Sequence, residues 1–124
     1  MPYLTTERDG MLWIDWTAAV VLLLSIGRRG FEPDAWAYAA HVAIAEAAVA
    51  MAAYGQRRTH LGDIVLSGGV FMNRILTDLL VSRLKGLGVR VLLHRQTPPN
   101  DGCIALGQAI VAGRQAEPAW RCLA

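Results

Sequence analysis

The chain has 124 residues, 54% of them hydrophobic and 18% charged, with a formal net charge of +2 and a mean hydropathy of +0.33. That length suits one small domain or one lobe of a larger one, and the apolar fraction is high where surface is still a large share of the chain. The basic residues are scattered, with short pairs only at Arg28–Arg29 and Arg57–Arg58 and no basic stripe interleaved with aromatics, which argues against a nucleic-acid partner.

In chain order, Asp9-Gly10 is a turn signal that makes a hairpin of residues 3–6 and a strand at 11–16. Thr17 is placed to cap a helix running to about Ile26, stopped by Gly27 and Gly30. Pro33 and Asp34 open the longest helix, predicted to reach about Gln56, with Arg57, Arg58 and His60 at the end that favours positive charge. Its small residues (Ala39, Ala40, Ala43, Ala47, Ala48) allow close approach of another element. It carries His41 and Glu46 and is alanine-rich, so it reads as a buried helix and not a membrane span. The start of the chain lacks the charged-then-apolar order of a signal peptide.

Residues 63–66 are expected to form a short buried strand. Residues 71–87 have a helical period: Met72, Ile75, Leu76, Leu79, Leu80, Leu84 and Leu87 share one face, and Arg74, Thr77, Asp78, Ser82 and Lys85 the other. Gly86 and Gly88 end it. A strand at 89–93, a rigid loop at Thr97-Pro98-Pro99-Asn100 and a helix from Asp101 to about Ala112 complete the pattern. Residues 115–124 show no clear period. Strands alternating with helices give an α/β fold with parallel pairing between the later strands.

Two stretches carry chemistry. In DIVLSGGVFMNR, Gly68 and Gly69 join a strand to a helix, where α/β proteins bind nucleotides on bare backbone, and Asn73 lies one turn on. A tight turn with no ligand is the competing explanation of the glycine pair. There is no Walker A lysine and no GxGxxG, and Ser67 is not in a GxSxG elbow. In HRQTPPNDGCIALGQA, Asp101 sits at a helix head, where it acts either as part of a cap or as a carboxylate ligand facing a cleft. No histidine pair has metal-ligand spacing. His41 reads as packed or capped, His60 and His94 as exposed at element ends, and the tryptophans as core or interface aromatics. Cys103 reads as a plain buried thiol. Two cysteines, Cys103 and Cys122, with no CxxC, make a reduced cytoplasmic setting the default.

LSGGVFMNRILTDLL followed by VLLHRQTPPNDGCIALGQAI resembles the C-terminal end of the hydrogenase maturation carbamoyltransferases, the HypF family, and DWTAAVVLLL and AWAYAAHVAIAEAAVAMA resemble the stretches before it. The arrangement is also similar, more loosely, to the tRNA threonylcarbamoyl-transfer enzymes of the actin-like ATPase superfamily. The resemblance implies an actin-like (ribonuclease H-like) lobe with a mixed sheet and helices packed on it, residues 1–124 forming a single domain that is the second, C-terminal lobe. It implies that ATP lies on Gly68 and Gly69 with Asn73 in contact. It makes Asp101 one ligand of a divalent metal (iron, zinc or magnesium), alongside two histidines of an HxxxH helix in the first lobe.

The family chemistry forms carbamoyl adenylate from carbamoyl phosphate and ATP, then passes the carbamoyl group to the C-terminal cysteine of a HypE-like acceptor. Two departures stand out: Cys103 occupies the place of a second glycine, and the family's upstream parts are not among these residues. The chain therefore reads as a lobe that is inactive alone and partners an upstream first lobe, with no nucleic acid or membrane partner. The alternative is a non-catalytic binding or assembly module, a degenerate fragment of the same fold.

Overall fold

The computed structural model describes residues 1–26 and 32–120. Gly27 and Gly30 as helix stops, the Arg28–Arg29 pair and Cys122 lie outside the described residues. The chain folds into two strand pairs and four helices among the described residues. Strand β1 (Leu4–Arg8) pairs antiparallel with β2 (Met11–Asp15) through a two-residue turn. Asp9 and Gly10 both take positive φ, 52° and 73°, the mirror-image turn whose twist matches that of paired strands. Helix α1 (Thr17–Ile26) follows at once. Its capping side chain is Asp15, not Thr17: the carboxylate accepts the Thr17 backbone N–H at 2.8 Å, as aspartate does two residues ahead of a turn. Hydrogen bonds from Thr17 hold the Asp15 carboxyl below its usual range.

Helix α2 (Pro33–Thr59) begins on Pro33, as expected, and runs one turn past the expected end, to His60 in the left-handed conformation with φ 58°. It is long and apolar enough to cross a membrane by length and composition. In this fold it lies against α3 (Arg74–Lys85). Ala43, Ala45 and Ala47 are buried on α2, with Ala48, Val49 and Ala52 packed beside the core, so the small side chains do permit close helix approach. Leu76, Leu80 and Leu84, spaced four apart, form the facing stripe of α3. The stripe is narrower than the sequence pattern: Met72 and Ile75 are exposed, Met72 because α3 begins only at Arg74 and Met72 lies in a preceding 3₁₀ turn, Gly69–Met72.

Strand β3 (Asp63–Leu66) pairs parallel with β4 (Arg90–Leu93), so the later strands are parallel as expected. Leu66, Ile64, Val91 and Val89 close the core under α2 and α3. The two pairs do not merge into the expected mixed sheet; among the described residues each stays two-stranded. β1 has no residue out of solvent, so no apolar row draws the hairpin onto the parallel pair. A second 3₁₀ turn, Asp101–Cys103, leads into α4 (Ile104–Trp120). This helix outlasts the expected end near Ala112, because Arg114, Gln115, Ala116 and Glu117 are good helix formers despite Gly113.

Candidate functional site

Parallel strands end at the same edge, and here both ends carry loops that meet. The Gly68 N–H donates to the carbonyl of Pro99 at 2.7 Å, tying the glycine turn after β3 to the Pro-Pro loop after β4. The Asn100 side chain spans the same junction. Its Oδ1 accepts from Gly102 N–H at 3.1 Å, capping the second 3₁₀ turn, and its Nδ2 donates to Met72 Sδ at 3.0 Å. The two stretches singled out in the sequence are thus neighbours in space.

The glycines at this junction have different causes. Gly68 takes φ 111°, a conformation that L side chains rarely adopt, so the turn itself requires it. A Cβ at Gly69 would meet only Asn100 Cβ, at 3.8 Å, an ordinary contact, and its φ is not in the left-handed region. Nothing within the described chain demands a glycine at 69. At Gly102 a Cβ would crowd Asn100 Oδ1 at 3.0 Å and Pro98 Cγ at 3.3 Å, so that glycine serves the packing of the loop.

Asn73 is the N-cap of α3. Its Oδ1 accepts the Leu76 N–H at 3.1 Å, which turns Nδ2 toward His41 Nε2 at 2.8 Å. His41 Nδ1 lies 2.7 Å from the Ala37 carbonyl, so the ring carries its proton on Nδ1 and accepts from Asn73 on Nε2. The packed reading of His41 therefore holds, with a specific job: it buttresses Asn73. Thr77 adds a second tie, its hydroxyl donating to the carbonyls of Phe71 at 3.1 Å and Asn73 at 2.9 Å.

Asp101 is exposed in the first turn of its 3₁₀ segment, and the capping oxygen there belongs to Asn100. Among the described residues no group of three or more His, Cys, Asp or Glu side chains is arranged to hold a metal ion. The described residues bring one carboxylate to this edge and do not complete a metal centre by themselves. Cys103 is a free, half-buried thiol, and His60 is exposed.

One pair escaped the sequence reading. His94, expected to be exposed, is half-buried, with Nε2 2.8 Å from Ser67 Oγ and Nδ1 3.1 Å from Thr97 Oγ1. The register explains it. Asp63 faces Arg90 and Val65 faces Leu92, so one step beyond the strands Ser67 faces His94 on the same open side. The usable signal was the opposite charge of Asp63 and Arg90: pairing them across parallel strands sets Ser67 opposite His94. Val65, Leu92, Leu93 and His94 line a shallow hollow of about 190 Å³ on that side. A roomier hollow of about 460 Å³ between α1 and α2 is lined by apolar side chains such as Leu23 and Ile44, with no group suited to chemistry.

Comparison with known proteins gives a consistent result. Residues 1–108 match the family described as carbamoyltransferase, Kae1-like domain, second subdomain. The chain is 38% identical over 111 residues to a carbamoyltransferase HypF homolog of Cupriavidus necator, covering 88% of this chain and 28% of that protein. It is 36% identical over 103 residues to carbamoyltransferase HypF of Rhodobacter capsulatus, covering 81% of this chain and 13% of that protein. A crystal structure of full-length HypF in its phosphate- and nucleotide-bound form superposes with a TM-score of 0.74 at 27% identity, covering 94% of this chain and 15% of that one. The chain therefore spans less than a third of the length of the relatives it matches.

Proposed function

Since the chain belongs to the HypF carbamoyltransferase family, as the second subdomain of its Kae1-like domain, we propose that it is the nucleotide-binding lobe of an actin-like carbamoyltransferase. In this reading residues 1–124 are one domain, the second lobe, and ATP lies in the cleft between it and an upstream first lobe. Gly68 and Gly69 offer bare backbone to the nucleoside, and Asn73, held rigid by Leu76 N–H and His41, contacts the nucleotide.

The observation that carries this reading is Gly69. The fold explains Gly68 by its φ and Gly102 by its neighbours, but leaves Gly69 with no internal reason, as expected where a ligand outside the chain approaches the backbone. The tight-turn explanation covers one glycine of the pair and not the other.

Asp101 fits the role of a single carboxylate ligand to a divalent metal. The remaining donors are assigned to the upstream lobe, since the described residues supply no set of three. The metal, when bound, supplies positive charge against phosphate oxygens. The chemistry proposed is that of the family: carbamoyl adenylate formed from carbamoyl phosphate and ATP, and carbamoyl transfer to the cysteine of a HypE-like acceptor in hydrogenase maturation. This chain alone lacks activity, and the setting is cytoplasmic.

The test mixes the chain with the upstream part of a family member and follows carbamoyl-phosphate-dependent ATP–pyrophosphate exchange. Restored exchange is expected, with Gly69→Ala losing at least about tenfold while its melting curve stays that of the unsubstituted chain. Exchange that is never restored by two folded parts, with partner binding indifferent to Asp101→Ala, would favour the non-catalytic assembly module instead. Cys103 in place of the family's second glycine is the feature that keeps that second reading in view.

A further inference from the structure

The open side of the parallel pair is a ladder of three unlike cross-strand pairs: an ion pair, Asp63–Arg90; an apolar pair, Val65–Leu92; and a hydroxyl–imidazole pair, Ser67–His94. The first two need only strand pairing to explain them. The third lies beyond the last ladder pair, at the mouth of the glycine turn, and has a further member in Thr97.

An imidazole between two hydroxyls can donate on one nitrogen and accept on the other, so the three groups form one directed chain. If Thr97 O–H donates to Nδ1, then Nε2–H donates to Ser67 Oγ, and the Ser67 proton is left to point outward. The adjacent Gly68 N–H cannot serve the same purpose, because Pro99 takes it at 2.7 Å. A hydrolytic nucleophile is the wrong reading of this trio. Behind the imidazole stands Thr97 and not a carboxylate, so nothing balances the imidazolium that proton abstraction from serine would create.

We propose that Ser67 contacts the bound nucleotide, its hydroxyl donating to an anionic phosphate oxygen, and that His94 and Thr97 are positioning residues that fix the direction of that hydroxyl. The proposal rests on the nucleotide reading above and names the side chain that a backbone-only glycine site lacks. An anionic oxygen selects the chain direction in which Nε2 of His94 is protonated, so ligand binding and tautomer are linked.

The experiment titrates ATP into the chain mixed with the upstream part of a family member, with the His94 ring nitrogens followed by ¹⁵N NMR. Expected results are a shift of His94 to the Nε2–H form as ATP binds, about a fivefold to twentyfold weaker ATP affinity in Ser67→Ala, and recovery of most of that affinity in Ser67→Thr, which keeps the hydroxyl. His94→Phe should weaken ATP to a similar degree and add nothing in the Ser67→Ala background. ATP binding of full strength in Ser67→Ala, or an Nδ1–H tautomer in the bound state, would overturn this inference and leave the nucleotide reading standing. Failure of the unsubstituted mixture to bind ATP would overturn both.

Discussion

The hairpin β1–β2 and the parallel pair β3–β4 are both two-stranded, yet different physics holds them. The hairpin is local. Its register, Thr6 against Trp13 and Arg8 against Met11, follows from a two-residue turn, and β1 buries nothing. Beside the half-buried Leu12 and Ile14 of β2, exposed polar contacts fasten the hairpin to α2: Tyr54 donates to Glu7 Oε1 at 2.9 Å, Arg58 donates to the Tyr54 hydroxyl at 3.0 Å, and the Arg58 guanidinium lies 5.5 Å from the Tyr54 ring centre. The parallel pair has no turn to set it. Its strands are joined through the whole of α3, and their register depends on burying Leu66 and Ile64 beneath Leu76, Leu80 and Leu84. Only the second arrangement brings two C-terminal strand ends to one edge, which is why the candidate site forms there and nowhere along the hairpin.

The largest expected effect separates the two. Leu84 is 1% exposed and is the large side chain most fully buried among the described residues. Leu84→Ala should cost about 2–5 kcal/mol, the range for truncating a fully packed leucine. In a urea titration the midpoint should fall. By amide hydrogen exchange, protection at Ile64 and Leu92 should be lost well before that at Thr6 and Trp13. Equal loss at both pairs would show that the hairpin depends on the core after all, as isolated two-stranded pairs generally depend on outside support.

A smaller effect should fall on the other side. Gly10 sits at φ 73°, and a Cβ there would approach the Arg58 guanidinium to 3.3 Å. Gly10→Ala should cost roughly 1 kcal/mol, the usual penalty for a left-handed non-glycine residue. The loss should appear as faster exchange at Trp13 with protection at Leu92 unchanged.

The same contrast explains what could be read ahead of the structure. The hairpin turn, the entry of α2 at Pro33 and the central leucines of α3 are written in short-range patterns and stand where the pattern puts them, although β1 runs over Leu4–Arg8 and the α3 stripe loses Met72 and Ile75. What escaped depends on partners distant in the chain. Residues 71–73 look helical, but the 3₁₀ turn there leaves Asn73 free to cap α3 and lets Gly68 reach Pro99. Asn73 itself stood out from the start, whereas its partner His41 was visible only as a polar residue in an alanine-rich helix. Ser67 and His94 each looked unremarkable alone, and parallel pairing makes them a unit. The mixed sheet was expected from the family resemblance; strand order says which strands exist but not whether a face draws them together.

The smallest effect tests the parallel pair at the end away from the candidate site. Arg90 Nε donates to Asp63 Oδ1 at 2.8 Å, and its second nitrogen reaches Oδ2, a bidentate pair across the first rung of the ladder. The guanidinium holds the Asp63 carboxyl below its usual range, and Asp63 in turn raises Arg90. The sign follows from the carboxylate. A folded pKa below the unfolded one, near ~4 for aspartate, means the unfolded chain takes up the proton first. The stabilisation is therefore whole above the unfolded value and disappears as pH falls through the folded one. Both groups are exposed, so the contribution is modest and screened by salt. Thermal melts between pH 6 and about pH 3 should show a decline that is shallower in Asp63→Asn. Added salt should flatten the decline of the unsubstituted chain and leave that of the variant nearly as it was. Because Ser67–His94 lies at the far end of the ladder, ATP affinity at neutral pH should be the same in Asp63→Asn as in the unsubstituted chain. A loss there would mean that the ladder transmits register from its ion pair to the ligand edge.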